Sequence, residues 1–429
     1  MTLVLVVLFG MMLLGIPVAF AILSAGMAYL ATTGGSMLVV AQRLIYGLNS
    51  FTLLAVPLFI LVGNLMDFGG ISKRLTDWAK SILGWLPGGL GIVTVFSCAI
   101  FVALTGSGPA TVAAIGSIML PSMLKAGYSR ETSAGLVASA GALGPIIPPS
   151  IPMIIYGVTM NLSIPAMFMA GVVPGLVIAL ALSLVNVVFA YRNPEVLKHA
   201  KTMKFDFKES MKLFWKALGA LGLPVLILGG IYGGIFTPTE SAAVGIVYAL
   251  ILGFALKELK VKDLPKILIN SLKTSTMVNF IIAAASLFSW VVSKSQIGIV
   301  ISNAFISFVG GSQALYLFVL VVVLLIVGCL MDNVAATLIL APILIPVGIA
   351  LGCNELHIGM LFCICLVVGF VTPPFGYNLF TAVSISGLNF KQIVKGALPF
   401  LLTEILLLFV FAYVPGIITW LPRLMGYGY

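Results

Sequence analysis

Two oxygen-bearing breaks lie inside long apolar sequence, at Thr105-Gly106-Ser107-Gly108-Pro109 and at Met331-Asp332-Asn333. Each is followed by a second break: Gly144-Pro145-Ile146-Ile147-Pro148-Pro149-Ser150 after the first, and Val371-Thr372-Pro373-Pro374-Phe375-Gly376 after the second. Glycine and proline stop helices, one by conformational freedom and the other by removing a backbone donor. A stopped helix leaves carbonyls bare at one end and N–H groups at the other. Carbonyls joined by Ser, Thr and Asp oxygens suit Na+, whereas the N–H ends suit a carboxylate. The expected first cation set is Thr105, Ser107 and Gly108 with backbone from Gly141 and Gly144. The second is Asp332, Asn333 and Gly328 with Gly369 and Thr372. Ser107, Thr111, Ser150, Asn378 and Thr381 are the residues expected to reach a small anionic solute. Small residues also let helices pack closely, but four breaks in a paired pattern favour a site.

Asp332 is the most informative single residue. An ionised carboxylate at mid-depth in a bilayer is expensive and needs a partner. The stretch 312–351 around it holds no Lys or Arg, so a bound cation is its natural counter-charge. A protonated, hydrogen-bonded Asp is the structural alternative. Glu404 reads as a packing residue as readily as a functional one. Glu240, after Thr237-Pro238-Thr239, fits the first turn of a helix. Asn64 and Asp67 end an apolar run and can serve structure or solute.

Other chemistries fit poorly. Gly106-Ser107-Gly108 superficially matches a serine nucleophile loop, which would make the chain an intramembrane hydrolase. Its two histidines, His199 in a basic loop and His357 at a helix edge, are badly placed to serve Ser107. Paired carboxylates and metal-ligand spacings are missing from the sequence. Cys98, Cys329, Cys363 and Cys365 sit in apolar runs and Cys353 at the end of one, as small buried hydrophobes do. A net charge of +10 invites a nucleic-acid reading, but the basic residues flank apolar runs as cytoplasmic loops do.

The elements that must position these residues are membrane helices. The 429 residues are 61% hydrophobic and 8% charged, with mean hydropathy +1.22, which excludes a soluble domain. Apolar runs of about 17–25 residues read as transmembrane helices, and period-2 alternation is missing, which disfavours a barrel. The first run, 2–31, reads as one long retained span bent by Gly15 and Pro17. Residues 70–85 alternate Lys73, Arg74, Asp77 and Lys80 with Leu75, Trp78 and Ile82 at helical spacing, the pattern of an arm lying in the interface. From 88 to 124 the sequence is apolar but broken at 105–109. Each half has about 16 residues, or ~24 Å of helix, short of the ~30 Å hydrocarbon core. Basic residues flank both outer ends, so the segment reads as a re-entrant hairpin whose tip is tolerated only where protein buries it or a cavity lies beside it. Residues 129–161 cross once with a break at 144–150.

This plan recurs 225 positions on. Pro121 falls on Pro346, Pro148-Pro149 on Pro373-Pro374, Gly171 on Gly396 and Pro174 on Pro399, a register chance explains poorly. The flanks of the second hairpin, 307–313 and 352–357, carry no Lys or Arg. If the first hairpin opens to the cytoplasm, the second opens to the other side, and the repeats are inverted. All of the 22 basic residues except Arg43, Lys294 and Arg423 then lie on the cytoplasmic side. The expected organisation is scaffold helices and a first arm over 1–87, the first half of a transport domain over 88–162, and scaffold, basic loops and a second arm over 163–311. The second half of the transport domain follows over 312–388 and a last scaffold helix over 389–429. Inverted repeats with midplane breaks are the architecture of secondary transporters.

Five motifs in order carry a family resemblance: Pro57-Leu58-Phe59-Ile60-Leu61-Val62-Gly63-Asn64-Leu65-Met66, the tip Thr105 to Thr111, Gly144 to Ser150, Thr237-Pro238-Thr239-Glu240-Ser241-Ala242, and Thr372-Pro373-Pro374-Phe375-Gly376. Together they resemble the large membrane subunit of a TRAP (tripartite ATP-independent periplasmic) transporter over nearly the whole chain. The resemblance implies an all-α polytopic protein of the bacterial inner membrane and Na+-coupled import of an organic acid by an elevator motion. Its implied partners are a periplasmic substrate-binding protein and a small four-helix membrane subunit, expected here as a separate chain. General likeness leans towards sialic acid as solute, with C4-dicarboxylates next. A stand-alone Na+/dicarboxylate symporter of similar architecture is the other reading.

Overall fold

Hydrogen-bonding side chains and prolines decide where this chain turns. Ser107 caps a helix by accepting the N–H of Ala110, and Asp332, its repeat equivalent, caps one by accepting that of Val334. Ser129 and Asn354, also 225 apart, cap by accepting from Thr132 and His357. The computed structural model describes residues 2–428, without the side chains at 2, 5, 13, 71, 72, 102–104 and 297–302. Every regular element among the described residues is a helix.

Helices α1 (Thr2–Leu13), α2 (Val18–Thr33), α3 (Leu38–Leu48) and α4 (Ala55–Phe68) come first, then the arm α5 (Ile71–Leu83). The first hairpin is α6 (Gly89–Thr105) and α7 (Gly108–Lys125), and the first broken helix is α8 (Arg130–Gly141) and α9 (Ile151–Met160). α10 (Ile164–Tyr191), α11 (Pro194–Thr202), α12 (Phe207–Tyr232) and α13 (Pro238–Ala255) connect the repeats. The second repeat has α14 (Leu264–Lys294), the arm α15 (Ile297–Phe308), the hairpin α16 (Gln313–Leu330) and α17 (Asn333–Ala350), and the broken helix α18 (Glu355–Gly369) and α19 (Tyr377–Ser386). α20 (Phe390–Tyr413) and the short α21 (Gly416–Leu424) follow. Eight helices among the described residues are long and apolar enough to cross a bilayer. The fold is thus an all-α polytopic membrane protein.

The structure differs from the expected elements in three places. Residues 2–31 are not one bent span but α1 and α2, which pack on each other. Gly15 at φ +77° reverses the chain and Pro17 cannot donate into a continuing helix. α12 and α14 begin earlier than the apolar runs suggest, at Phe207 and Leu264. Their first turns carry Lys208, Lys212, Lys216 and Lys266, whose long stems let a helix run out through the interface. The arms of the second hairpin have 18 residues each, about 27 Å at the helical rise, so length alone does not mark them as re-entrant. They pack against α18 and each other.

α10 and α20, assigned from the sequence to the outer helices, pack against the hairpins and broken helices. Glycines allow it. A methyl on Gly171 of α10 would collide with the Ile146 carbonyl, and one on Gly396 of α20 with that of Glu131. Outside this core, α4 packs on α13 and α14, and α14 on α2 and α3. These outer helices touch the core chiefly where α4 meets α6 and where α14 meets α17. Trp78 of the arm α5 packs its ring against Phe96 of α6 and Phe214 of α12.

Candidate functional site

The two repeats interlock at their breaks. Each hairpin tip meets the end of the first half-helix of its own repeat, as expected. The second half-helix beside it comes from the other repeat: α19 packs on α7 and α8, and α9 packs on α17 and α18. Each tip still faces the break of its own repeat, with Gly106 against Ile151 at the start of α9 and the Gly376 N–H donating to the Cys329 carbonyl at 3.4 Å, while the body of each second half-helix packs on the other repeat.

At the first tip, Gly106 takes a left-handed φ of +62°, which lets α6 end and α7 begin with only Gly106 and Ser107 between them. The Ser107 hydroxyl caps α7, and the Thr111 hydroxyl donates to the Ser107 carbonyl at 2.9 Å. Thr105 and Thr111 hydroxyls stand 3.4 Å apart. Asn378 enters from α19, fully buried. Its amide nitrogen donates to the Ala138 carbonyl at 3.0 Å, while its Oδ1 has no partner. A methyl on Gly108 would lie 2.9 Å from that Oδ1 and 3.1 Å from the Gly141 carbonyl. Gly108, Gly141 and the Asn378 oxygen thus converge, and glycine at 108 leaves the room for it. Gly144 continues the turn from Gly141, its N–H donating to the Gly141 carbonyl at 3.2 Å.

At the second tip, half-buried Asp332 caps α17 through Oδ1, which accepts the Val334 N–H at 2.8 Å. Asn333 is buried with both amide atoms unpartnered, and one turn on, Thr337 is buried with an unpartnered hydroxyl. Gly328 and Gly369 are crossed so closely that a Cβ at 369 would lie 2.5 Å from the Gly328 carbonyl carbon. Thr372 spends its hydroxyl on the Val368 carbonyl at 3.0 Å and its N–H on that of Gly369. Unmet polar groups in apolar surroundings are costly, and Asn333, Thr337 and the Asn378 oxygen are such groups at the two tips. Thr337 was not among the expected residues; its signal is a polar pair at i and i+4 in an otherwise apolar helix.

The expected solute residues divide. Ser107 lines a cavity of about 160 Å³ together with Thr105 and Ala110 of the first hairpin, Asn64 and Asp67 of α4, and Thr274 of α14. Ile151, at the start of α9, also borders it. This cavity lies where the outer helices meet the core, and Asn64 and Asp67 line it. Asn64 is held by its donation to Ser271 at 2.8 Å. Thr111 is buried at the tip. Ser150 closes its own turn by donating to the Pro145 carbonyl at 2.5 Å and capping α9. Thr381 bonds back to the Tyr377 carbonyl on half-exposed α19. These three lie outside the 160 Å³ cavity, and Asn378 belongs to the first tip.

Glu404 is buried in α20 with neither carboxylate oxygen hydrogen-bonded, whereas Glu240 and His357 have structural partners. Glu240 forms a capping box with Thr237. His357 lies in the first turn of α18, at a helix edge as expected, and is buried there with its ring nitrogen 2.8 Å from the Phe411 carbonyl. All five cysteines are buried and free.

Interlocked inverted repeats, two capped tips inside apolar helices and a polar cavity at the core boundary define a multi-pass transport permease. The family model for the "Tripartite ATP-independent periplasmic transporter, DctM component" matches residues 5–417, and the chain belongs to that family. It is a membrane permease of the bacterial inner membrane, not an enzyme. The C4-dicarboxylate large permease DctM of Pseudomonas aeruginosa is 39% identical, with 94% of each chain covered. The isethionate permease protein DctMQ of Oleidesulfovibrio alaskensis is 39% identical over 96% of this chain, which spans only 65% of that relative. The sialic acid large permease SiaM of Vibrio cholerae is 33% identical over 98% of both. Among solved structures, Neisseria gonorrhoeae MtrF shares the fold at TM-score 0.58 and 15% identity, covering 90% of this chain and 86% of its own.

Proposed function

We propose that this permease is a Na+-coupled importer of a small organic acid, moving its core past the outer helices as an elevator. The observation that carries the reading is the paired tips, each with buried amide oxygens that lack a partner beside closely crossed glycines. Two or more Na+ ions fit there. Thr105, Ser107 and Gly108, the Gly141 and Gly144 backbone and Asn378 would hold one. Gly328, Asp332, Asn333, Gly369 and Thr372, joined by Thr337, would hold the other. The solute occupies the cavity of Asn64, Asp67, Thr105, Ser107 and Thr274. Its anionic group would be drawn to the N–H groups at the start of α7. Asp67 in the same cavity repels an anion, so a cation bound nearby is what makes joint occupancy favourable. That is a physical basis for coupling.

The cavity, about 160 Å³, is below the range typical of drug-sized ligands. It suits a C4-dicarboxylate or a two-carbon sulfonate better than the sialic acid that overall likeness suggests. The relatives named for those smaller acids are also the more similar ones, at 39% against 33%. The working assembly includes a periplasmic binding protein and a small membrane subunit. The small subunit is a separate chain in this reading, although the DctMQ relative is longer than this chain.

The test is uptake into liposomes holding the chain with its small subunit, with and without the binding protein and an inward Na+ gradient, for labelled succinate, isethionate and sialic acid. Na+-driven uptake of the smaller acids that requires the binding protein is expected. Uptake without the binding protein would point to a stand-alone symporter, and indifference to Na+ would remove both cation sites. Uptake of sialic acid alone would discard the substrate assignment and keep the mechanism.

A further inference from the structure

Two cavities outside the tips lie end to end along the same pair of helices. The first is a polar basin of about 390 Å³ on the cytoplasmic side, lined by Asp77, Lys80, Trp85, Lys204, Asp206 and Glu209. The second is an apolar crevice of about 1070 Å³ that includes Ala99 of α6, Ile147 and Pro148 at the first break, Ala179 of α10, and Leu221 and Val225 of α12. On the arm α5, Lys80 borders the basin and Leu83 the crevice; on α12, Leu213 borders the basin and Phe214 the crevice. The crevice runs from Phe214 to Leu228 of α12, roughly 21 Å at the helical rise. That exceeds half of the ~30 Å hydrocarbon core.

We propose that a diacyl phospholipid with a zwitterionic, amine-bearing headgroup occupies this composite site, its headgroup in the basin and its chains in the crevice.

Charge argues for the headgroup. Among the described residues the one ion pair is Arg74 with Glu258. The basin's two lysines and three carboxylates therefore line one space without closing on each other. Lys80 donates to the Ser122 hydroxyl at 3.1 Å instead. Burial lowers the pKa of its ammonium, with nearby Asp77 acting the other way, so a phosphate beside it would restore the favoured charged form. A phosphate bound by Lys80 and Lys204 and an ammonium bound by Asp77, Asp206 and Glu209 satisfy both signs at once. Trp85, with its ring 6.4 Å from Phe205, sits at the headgroup level where tryptophan is enriched. Asp206 Oδ1 caps α12 by accepting the Lys208 and Glu209 N–H groups, and an acidic lipid without the amine would meet Asp77 and Glu209 with no counter-charge.

Placement gives the lipid a role. The crevice separates α12, an outer helix, from α6, α10 and the first break, which belong to the core. A tail there ends against Ile147 and Pro148 and fills the gap that the proposed elevator motion must change. The lipid site itself does not depend on that motion or on Na+ coupling.

The experiment is native mass spectrometry of the gently extracted membrane complex, with phospholipid quantified by headgroup. Phosphatidylethanolamine is expected at about one per chain. Ala99→Trp, which fills the crevice, and Lys204→Ala with Glu209→Ala, which strip the basin while leaving the Asp206 cap of α12 in place, should each lower it several-fold. Leu402→Trp, on the exposed face of α20, should leave it unchanged. Equal retention in all variants would overturn the site. Preferential retention of phosphatidylglycerol or cardiolipin would overturn the headgroup assignment. A crosslink from Leu218→Cys to the small membrane subunit, with no lipid retained, would show that a protein helix fills the crevice instead. These readouts need no transport activity, so they stand apart from the uptake test above.

Discussion

The two hairpin tips solve one packing problem with different residues. At the first, the tip supplies glycine at 108 and the facing helix supplies Asn378 from the other repeat. At the second, the tip supplies Asn333, and the position matching Asn378 is Met153. A buried amide is thus present at both, brought by the partner helix in one repeat and by the tip itself in the other. Tip one carries no charge and borders the polar cavity through Thr105 and Ser107. Tip two adds the carboxylate of Asp332 and contributes nothing to that cavity. An inverted repeat fixes where an oxygen must be, and leaves open which strand of the chain delivers it. In the proposed reading this would let one site specialise, tip one sharing its oxygens between cation and solute and tip two serving the cation alone.

This contrast can be broken experimentally. The largest effect is expected for Asp332→Ala. Loss of one member of a buried charged pair costs about 3–5 kcal/mol, so Na+ binding at tip two should weaken by roughly 100-fold or more and driven uptake should vanish. Na+ titration of intrinsic fluorescence would measure it, and an unchanged affinity would leave tip two with no cation role. Asn378→Leu comes next. It leaves the Ala138 carbonyl without its donor and removes the free oxygen, about 1–3 kcal/mol, and should weaken a different Na+ phase from the one Asp332→Ala affects. If both variants shift the same phase, the tips are not separate sites.

An exchange of residues sharpens the comparison further. Gly108→Asn alone crowds Asn378 and the Gly141 carbonyl and should block uptake. Combined with Asn378→Gly it moves the amide onto the tip, as in the second repeat, and should recover transport to within about tenfold, the coupling expected of residues in contact. No rescue would mean that the amide's origin matters as well as its position. Ser107→Ala should have the smallest effect. A lost helix cap costs about 1 kcal/mol, and because Ser107 borders the cavity and is also proposed to hold Na+ at tip one, the apparent KM for solute should rise several-fold and the Na+ dependence should shift modestly. An unchanged Na+ dependence would remove Ser107 from the cation site and leave it to the solute.

Much of this was legible in the chain. Gly-Ser and Pro-Pro breaks inside apolar runs, 225 residues apart, announce interrupted helices, because few other sequences stop a helix where no water can satisfy its ends. The cap roles of Ser107 and Asp332 follow from residue type and position. What the sequence obscured has identifiable causes. Thr337 looked like an ordinary helix threonine, since its significance is the unpartnered hydroxyl that only packing reveals. Hydropathy does not say what a span packs against, so the contacts of α10 and α20 with the hairpins and broken helices are visible only in the structure. Ser150 and Thr111 had the right chemistry, but local bonds to Pro145 and Ser107 absorb their hydroxyls.

By itself the sequence determined that this is a polytopic membrane protein, with inverted repeats, midplane breaks and a basic cytoplasmic side. Those properties follow from composition, charge and the fixed habits of Gly and Pro, all local to the chain. Only the tertiary structure decided that the body of each second half-helix packs on the other repeat. It alone brought Asn378 to Gly108 and set Asn64, Asp67 and Thr274 opposite Thr105 and Ser107. Contacts between residues some 240–270 positions apart, such as Asn378 with Ala138, depend on how whole helices stack, and no spacing along the chain encodes that.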